Sequence, residues 1–451
     1  MPHPEQPRPD QPAPEPGIEN TLFDAVPGLA QMPGAAVEDH RPRVSVSFIW
    51  LVVLSTFGLY LAFIAPVGIS LAVRVQQLAP AHAEDLGYIL GVGSIAALVS
   101  IPLVGVLSDA TRSRLGRRRP FILIGSLIGL GSLIVMATAP SIPLLGLGWL
   151  LAQLGFGNAL AGLVNVQADR LPESQRGRVS GFVGFVQLVA PVAGVGIASG
   201  FVGNNVLLFL VPGGVGVLLG LVFVVFSHES DSRSLPAATR TTIGTLLPKY
   251  VFSPRKYPAF AWNWLGRFLV YFALSLSTTF TSFYFAQKAG TTVAGVAGLF
   301  AIASLAGVGA AAIGALGGGF LSDRLHRRRV FVLVASAVFA LGAVILAFAP
   351  SIGVVIVGFV VLNIGTGIFS AVDQAIVLDI LPERDENAGR FVGINQLALQ
   401  IGQAIAPLIA PVFLVIGATS DQKNYGLLFI LAAVCTLAGG LVIHLRVTGS
   451  R

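Results

Sequence analysis

Long apolar runs alternate with short charged breaks along almost the whole chain. Twelve runs are long enough to cross a bilayer; they begin near Phe48, Gly87, Phe121, Pro143, Val179, Val206, Pro258, Ala294, Val330, Ile352, Phe391 and Tyr425. A spanning helix needs about 20 apolar residues. In lipid the backbone must satisfy its own N–H and C=O groups, so the pattern predicts an all-α membrane protein of twelve transmembrane helices. The longest break, Ser227 to Tyr257, is polar and divides the runs six plus six. The expected organisation is a Pro-rich tail (1–44), a first six-helix bundle (45–227), a linker (228–257), a second six-helix bundle (258–446) and a short tail (447–451).

Composition and charge sharpen this picture. The chain is 54% hydrophobic and 11% charged, where a soluble domain carries about a quarter charged residues. A net charge of +7 in a soluble protein would point to nucleic acid. Here all but four of the 28 Lys and Arg lie in breaks and tails that share one side if the N-terminus is inside. Arg74, Lys288 and Lys423 fall on the other side, and Arg267 falls within a run. That asymmetry predicts a multi-pass plasma-membrane protein with both termini cytoplasmic and no nucleic-acid partner. Trp50 and Trp262, near run ends, suit interfacial anchors.

Other classes are weakened by what the chain lacks. The single Cys435 makes no intrachain disulfide, and the six histidines are dispersed with no metal-ligand spacing. No Walker A pattern occurs. The expectation is no enzyme, no cofactor, no metal and no ATP-driven pump. Residues 1–44 hold ten of the 27 prolines without an apolar core like that of a signal peptide. They read as a disordered cytosolic tail, or as a polyproline ligand for a partner domain.

The two halves are copies. "ATAPS" at 137–141 returns as "AFAPS" at 347–351, 210 positions on. "ADRLPESQRGR" at 168–178 matches "LDILPERDENAGR" at 378–390, and "GVLSDATRSRLGRRRPF" at 105–121 returns, shortened, as "GGFLSDRLHRRRVF" at 318–331. These repeated motifs resemble the major facilitator superfamily over about residues 45–446. The longer form "SDATRSRLGRRRPF" resembles, more narrowly, plant sucrose transporters with their animal and bacterial relatives, and the glycoside–cation symporters similar to them. The resemblance implies two pseudo-symmetric bundles working by alternating access around a midplane site. It implies a monomer that moves a small polar solute, such as a sugar or glycoside, with a proton or sodium ion across the lipid bilayer. A proton-coupled exporter of amphipathic compounds on the same fold, served by Phe156, Phe182, Phe185, Trp264 and Tyr271, is the alternative; a non-transporting sensor or scaffold is a third.

By the same resemblance the charged loops form a cytoplasmic gate. Asp109 would approach the start of the eleventh span near Arg390, and Asp323 the start of the fifth near Arg178, each carboxylate at a helix N-terminus. Arg117, Arg118 and Arg119 would pair with Asp109, Asp169 or Glu173, and Arg327, Arg328 and Arg329 with Asp323 or Asp379. Arg324 follows Asp323, whereas Ala110 follows Asp109, so the first latch is expected to be wired differently. Pure topology enforcement by the arginines is the other reading.

Ionisable residues within spans are usually functional. Arg267 and Asp373 both lie in the second half, in its cytoplasmic part, where they can pair. The pair is either static or a site that couples a proton or cation. Polar residues at helical spacing extend the candidate site: Asn263, Arg267, Tyr271 and Thr278; Asn363, Thr366, Ser370 and Asp373; Gln396, Gln400 and Gln403. Asn158 and Asn165 in the fourth span and Gln187 in the fifth join them. Such stripes are expected to face a wet cavity, although helix–helix hydrogen bonding serves equally well. Sucrose transporters carry an aspartate and an arginine in the fourth span; the matching positions here are Gln153 and Val164, and Gln153 joins the candidate coupling or substrate-binding residues.

Overall fold

The computed structural model describes residues 42–229, 231–234, 251–419 and 422–447. Nearly all of the predicted tail, the middle of the linker and the last four residues lie outside them. The apolar runs are helices: α1 (Val46–Leu78), α2 (Asp85–Ala110), α3 (Arg119–Thr138), α4 (Ile142–Arg170), α5 (Glu173–Ser199), α6 (Asn205–Phe226), α7 (Pro258–Thr279, continued by Thr281–Ala289), α8 (Val293–Leu325), α9 (Arg328–Ala347), α10 (Ile352–Ile380), α11 (Arg384–Val415) and α12 (Tyr425–Arg446). Among the described residues eleven are long and apolar enough to cross a membrane, and the two parts of α7, bent by 42°, make the twelfth. Helices α5 and α11 begin before their apolar runs because their first turns, "ESQRGR" and "RDENAGR", are polar.

Packing repeats between the halves. Helix α1 packs on α5 and α6 as α7 packs on α11 and α12; α3 packs on α4 and α6 as α9 packs on α10 and α12. Between the halves, α2 meets α11 and α5 meets α8. Small residues allow the closest crossings. A Cβ on Gly58 would come within 2.5 Å of the Gly216 carbonyl, and one on Gly266 within 2.8 Å of the Gly439 carbonyl. In lipid, close backbone packing of this kind replaces the hydrophobic drive.

Helix ends are tied down by charge, again in pairs. Arg119 Nε donates to the Val224 carbonyl at the end of α6, and Arg329 Nη1 to the Val447 carbonyl after α12. Arg74 donates to the Ala139 carbonyl past α3, and Lys288 Nζ to the Ala349 carbonyl past α9 at 2.7 Å. Cations at helix C-termini stabilise the unpaired carbonyls there. Two of the three basic residues that break the charge asymmetry therefore cap helices. At the start of α3 the Glu229 carboxylate accepts from the backbone N–H groups of Arg117, Arg118 and Arg119 at 3.1–3.2 Å.

Three helices are interrupted where they line the centre. Helix α1 has a wide turn at Pro66–Ser70, where the proline lacks an N–H; α4 has another at Gln153–Gly157; α7 bends at Phe280. Phe280 stands 214 positions after Pro66, the same offset as between the two "LSD" triplets. The breaks in α1 and α7 are thus counterparts.

Candidate functional site: a central cavity and a buried ion pair

A cavity of about 540 Å³ lies between the halves. Each interrupted segment contributes to its wall: Val67 and Gly68 from α1, Gln153 from α4, and Thr278, Thr279 and Thr281 from α7. Helices α2, α8, α10 and α11 add Ser94, Ser304, Asn363, Gln400 and Gln403, and Ser275 of α7 completes the polar set. The remainder is apolar, with Phe63, Trp149, Phe300 and Phe359 supplying ring faces. No Asp, Glu, Lys, Arg or His is among the described residues of the wall. Phe63 and Trp149 stack with centroids 5.4 Å apart.

One end of the cavity is sealed. A Cβ on Gly87 would lie 2.3 Å from the Pro407 carbonyl, so α2 and α11 touch backbone to backbone there, and one on Gly91 would lie 2.3 Å from the Leu408 side chain. Two polar contacts join the halves there: Val293 N–H donates to Gln76 Oε1 at 2.7 Å, and Lys423 Nζ meets Glu84 Oε2 at 3.0 Å. His82 Nδ1 lies 3.0 Å from the other Glu84 oxygen. Partial burial alone would raise the Glu84 carboxyl; its own backbone amide, Lys423 and His82 outweigh that and hold it below the usual carboxylate range. Lys423, the third exception to the charge asymmetry, is thus a strut of this seal.

At the arginine-rich end each half closes on itself. Arg118 holds Asp109 at 2.5 Å and Asp169 at 2.9 Å, and donates to Ser108 Oγ; Arg117 also reaches Asp169 at 3.1 Å. Arg328 holds Asp323 at 3.2 Å and Asp379 at 2.7 Å. Among the described residues, Asp109 and Asp323 thus pair with arginines of their own halves. Arg390 donates to the Val251 carbonyl, Arg178 lies over the Phe182 ring, and Arg324 is exposed. Gly181 and Gly184 of α5 have no atom within 4 Å of where a side chain would start.

The second feature is inside the second half. Arg267 Nη1 donates to Asp373 Oδ2 at 2.5 Å, with each residue 2% exposed. Arg267 lies over the Tyr271 ring at 5.2 Å, and its Nη2 is 3.5 Å from Gln396 Oε1. Arg267 Nε, Asp373 Oδ1 and both side-chain atoms of Asn263 are buried without a protein partner. Gln400, one turn along α11 from Gln396, lines the cavity.

The candidate residues therefore divide. Gln153, Asn363, Gln400, Gln403 and Thr278 reach the cavity wall. Asn263, Arg267 and Asp373 do not; they are packed between helices of the second half, and Tyr271, Thr366 and Ser370 line a separate small chamber. The expectation that whole stripes face one wet cavity is corrected for these six. The cause is that α7 and α10 each contact neighbours inside their own half as well as the centre. Asn158 is buried and donates to the Leu154 carbonyl, and to Ser100 Oγ on α2, so it ties helices together. Gln187 is half-buried, one turn from the cavity residue Pro191, and Val164 is exposed. Phe156 is fully buried and packs against Phe63 outside the cavity wall. Sequence reasoning missed Ser94, Ser275, Thr279, Thr281 and Ser304. Ser94 and Ser304 are single hydroxyls in apolar helices and carry no periodic signal, whereas Ser275, Thr279 and Thr281 lie in the hydroxyl-rich run "SLSTTFTS" at 275–282, whose density was the signal available.

Comparisons with known proteins agree with this architecture. The sequence pattern of the Major Facilitator Superfamily matches residues 51–317 and 308–450. The human proton myo-inositol cotransporter is 36% identical over 106 residues, 24% of this chain and 16% of that protein. Mouse solute carrier family 45 member 3 is 39% identical over 100 residues, 22% of this chain and 16% of that protein. The matched stretches span less than a fifth of the length of such curated relatives. The crystal structure of a D-xylose–proton symporter superposes with TM-score 0.70 at 14% identity, covering 90% of this chain and 99% of that one.

Proposed function

The chain belongs to the major facilitator superfamily, and we propose that within it this protein is a gradient-driven carrier of an uncharged polyol, a sugar, glycoside or cyclitol, taken up with a proton. The observation that carries the reading is the cavity wall: amides and hydroxyls from both halves, aromatic faces, and, among the described residues, no ionisable group. A polyol needs many donors and acceptors and no charge, and its C–H faces suit aromatic rings. The substrate named for the human relative, myo-inositol, and the protons named for that relative and for the xylose symporter support the choice.

Asp373 is the coupling carboxylate in this reading and Arg267 its counter-charge. An ion pair this buried stays charged only while both partners are present. Protonating Asp373 releases Arg267 toward Gln396, one turn from Gln400 in the cavity, and that turn links proton to solute. The halves, 45–227 and 258–446, rock about the cavity while the linker 228–257 lies in the cytoplasm. The arginine-rich end is cytoplasmic, as are both termini, the membrane is the plasma membrane, and the carrier is a monomer. With the Glu84–Lys423 end sealed, the conformation is inward-facing. Asp109 and Asp323 reach across to the other half in the outward-facing state.

The test is uptake by proteoliposomes under an imposed pH gradient, with a panel of sugars, glycosides and cyclitols. An imposed sodium gradient is run in parallel, and Asp373→Asn beside both. Accumulation driven by the pH gradient and abolished in Asp373→Asn is the expected result. Accumulation that survives the substitution removes Asp373 as the proton carrier. The ring faces of Phe63, Trp149, Phe300 and Phe359 favour a second reading, export of amphipathic compounds; dye efflux with no polyol uptake would select it.

A further inference from the structure

A second hollow opens on the outside of α7. A groove of about 470 Å³ lies where the chain enters this helix, lined by Phe252, Pro254 and Arg255 of the approach and by Ala261, Trp262 and Leu265 of the helix. Pro258, Ala261, Trp262 and Leu265 follow i, i+3, i+4 and i+7, so they share one face. Leu274, which lines the central cavity, stands nine residues after Leu265, on the opposite side of the helix. The groove therefore faces away from the cavity. On one flank is α11, where the Ile394 carbonyl accepts from Trp264 Nε1 at 2.9 Å; on the other is α12, where Gly439 packs on Gly266. Apart from Arg255, the described wall is aromatic ring and hydrocarbon. Such a face, turned outward from a membrane-spanning bundle, meets acyl chains as apolar as itself.

Positive charge stands at the mouth of the groove. Arg255 and Arg446 are both exposed. Arg446 is in the last turn of α12, with its guanidinium over the Trp262 ring at 5.5 Å. Among the described residues neither arginine has an ion-pair or hydrogen-bond partner. Their neighbour Lys256 differs: its Nζ is 3.0 Å from Glu383 Oε1. No Asp or Glu is among the described residues of the wall. The approach segment is held in place, because the Phe252 ring meets the buried Phe260 edge-on at 5.1 Å. The matching place in the first half is different. Phe48, 214 positions before Trp262, is buried, with the Arg170 guanidinium over its ring at 5.4 Å.

We propose that this groove binds an anionic phospholipid of the leaflet at the arginine-rich end. The headgroup phosphate accepts from the guanidinium groups of Arg255 and Arg446, and an acyl chain runs along the face made by Ala261, Trp262 and Leu265. Three observations choose this occupant. Two cations without protein partners stand at the mouth. The apolar wall continues from them along α7. An exposed tryptophan marks the junction, the level at which Trp is enriched in membrane proteins. Guanidinium groups bind phosphate through planar pairs of N–H donors, and basic pockets between spanning helices hold anionic headgroups. Free phosphate would satisfy the arginines and leave the apolar wall uncovered. The site needs the membrane-spanning fold and not the choice of solute.

The experiment uses the full chain in phosphatidylcholine vesicles. Lipid brominated on its acyl chains quenches tryptophan on contact, and the part of the emission lost in Trp262→Phe reports this groove. Brominated phosphatidylglycerol is expected to quench that part at a mole fraction about tenfold lower than brominated phosphatidylcholine, as two cations beside one headgroup imply. Arg255→Gln/Arg446→Gln is expected to abolish the preference, and each single variant to lose part of it; should the double variant not be recovered folded, the singles carry the same test. Arg112→Gln/Arg114→Gln removes two exposed arginines of the α2–α3 loop and is expected to keep the preference. Equal quenching by the two lipids, or loss of the preference in the Arg112/Arg114 variant as well, would overturn the site in favour of diffuse surface charge. Relief of the quenching by inorganic phosphate would reduce it to a free-anion site and overturn the lipid. Trp262 emission untouched by either lipid would mean that protein covers the groove, a second copy or another segment of this chain, and would overturn the proposal too.

Discussion

The two halves agree at their ends and part company in the middle. Arg118 with Asp109 and Asp169 has its counterpart in Arg328 with Asp323 and Asp379, and the helix-capping cations repeat as Arg119 and Arg329, Arg74 and Lys288. Mid-membrane, the second half buries Arg267 and Asp373. The positions 214 and 210 earlier are Val53 and Leu163, both buried and apolar. Ends must satisfy unpaired backbone groups and topology in both copies, so their chemistry is shared. The interior is free to specialise: one copy holds charge, and the other offers a neutral wall with Gln153 and Trp149.

Making the second half resemble the first is the strongest way to break this contrast. Asp373→Ala leaves a buried guanidinium unpaired, and loss of one partner of such a pair costs about 3–5 kcal/mol. Its yield of folded protein, read by size exclusion in detergent, is expected to fall sharply. The double variant Arg267→Leu/Asp373→Leu is expected to regain a wild-type melting temperature without gradient-driven accumulation. If the double variant melts as low as the single, the cost comes from packing and not from the lone charge. Gln153→Ala sharpens the contrast from the other side: weaker solute binding, about tenfold, with the proton stoichiometry unchanged.

Gly87→Val tests the seal that both halves share. Its side chain would strike the Pro407 carbonyl. The expected outcome is a population shift toward the other conformation, visible as modification of a cysteine introduced behind the seal that is protected in wild type. Unchanged protection would mean the helices part at no cost.

The paired arginines are not equal. Arg118 is 7% exposed at its side chain and Arg328 27%. Arg118→Gln is expected to destabilise by about 1–3 kcal/mol, since Asp109, Asp169 and Ser108 lose a buried donor, and Arg328→Gln by about 1 kcal/mol or less. Thermal unfolding of the two variants side by side decides it; equal shifts would erase the distinction.

The smallest effect belongs to Glu84. Its folded carboxyl is held below the unfolded value of about 4.3. The contribution of the Glu84–Lys423 contact is therefore fully present above that value and is lost as pH falls through the lower, folded value. Acidification below about pH 4 is expected to loosen the seal in wild type and to have no such effect in Glu84→Gln. The same cysteine-protection measurement, run against pH, reads the difference.

Much of this was legible in the chain. Twelve helices, the six-plus-six division, the paired motifs and the partnership of Arg267 with Asp373 followed from apolar run length, the 210-residue repeat and the rarity of charge in lipid. The division of the polar stripes did not. Periodicity places Asn263, Arg267 and Tyr271 on one face of α7, yet whether that face meets the cavity or a sister helix depends on how α7 is rotated against α10 and α11. The interruptions at Pro66, Gln153 and Phe280 also escaped notice, although they bring hydroxyls and amides to the wall.

The order of apolar and charged segments by itself determined a helical membrane protein in two related halves, because a backbone in lipid has one local way to satisfy its hydrogen bonds. Only the tertiary structure decided which end is sealed, which polar residues reach the shared cavity, and that the ion pair lies behind a wall and not in the cavity. Those outcomes depend on contacts between helices far apart in sequence, made backbone to backbone at positions such as Gly87 and Pro407, and no local pattern encodes their rotation.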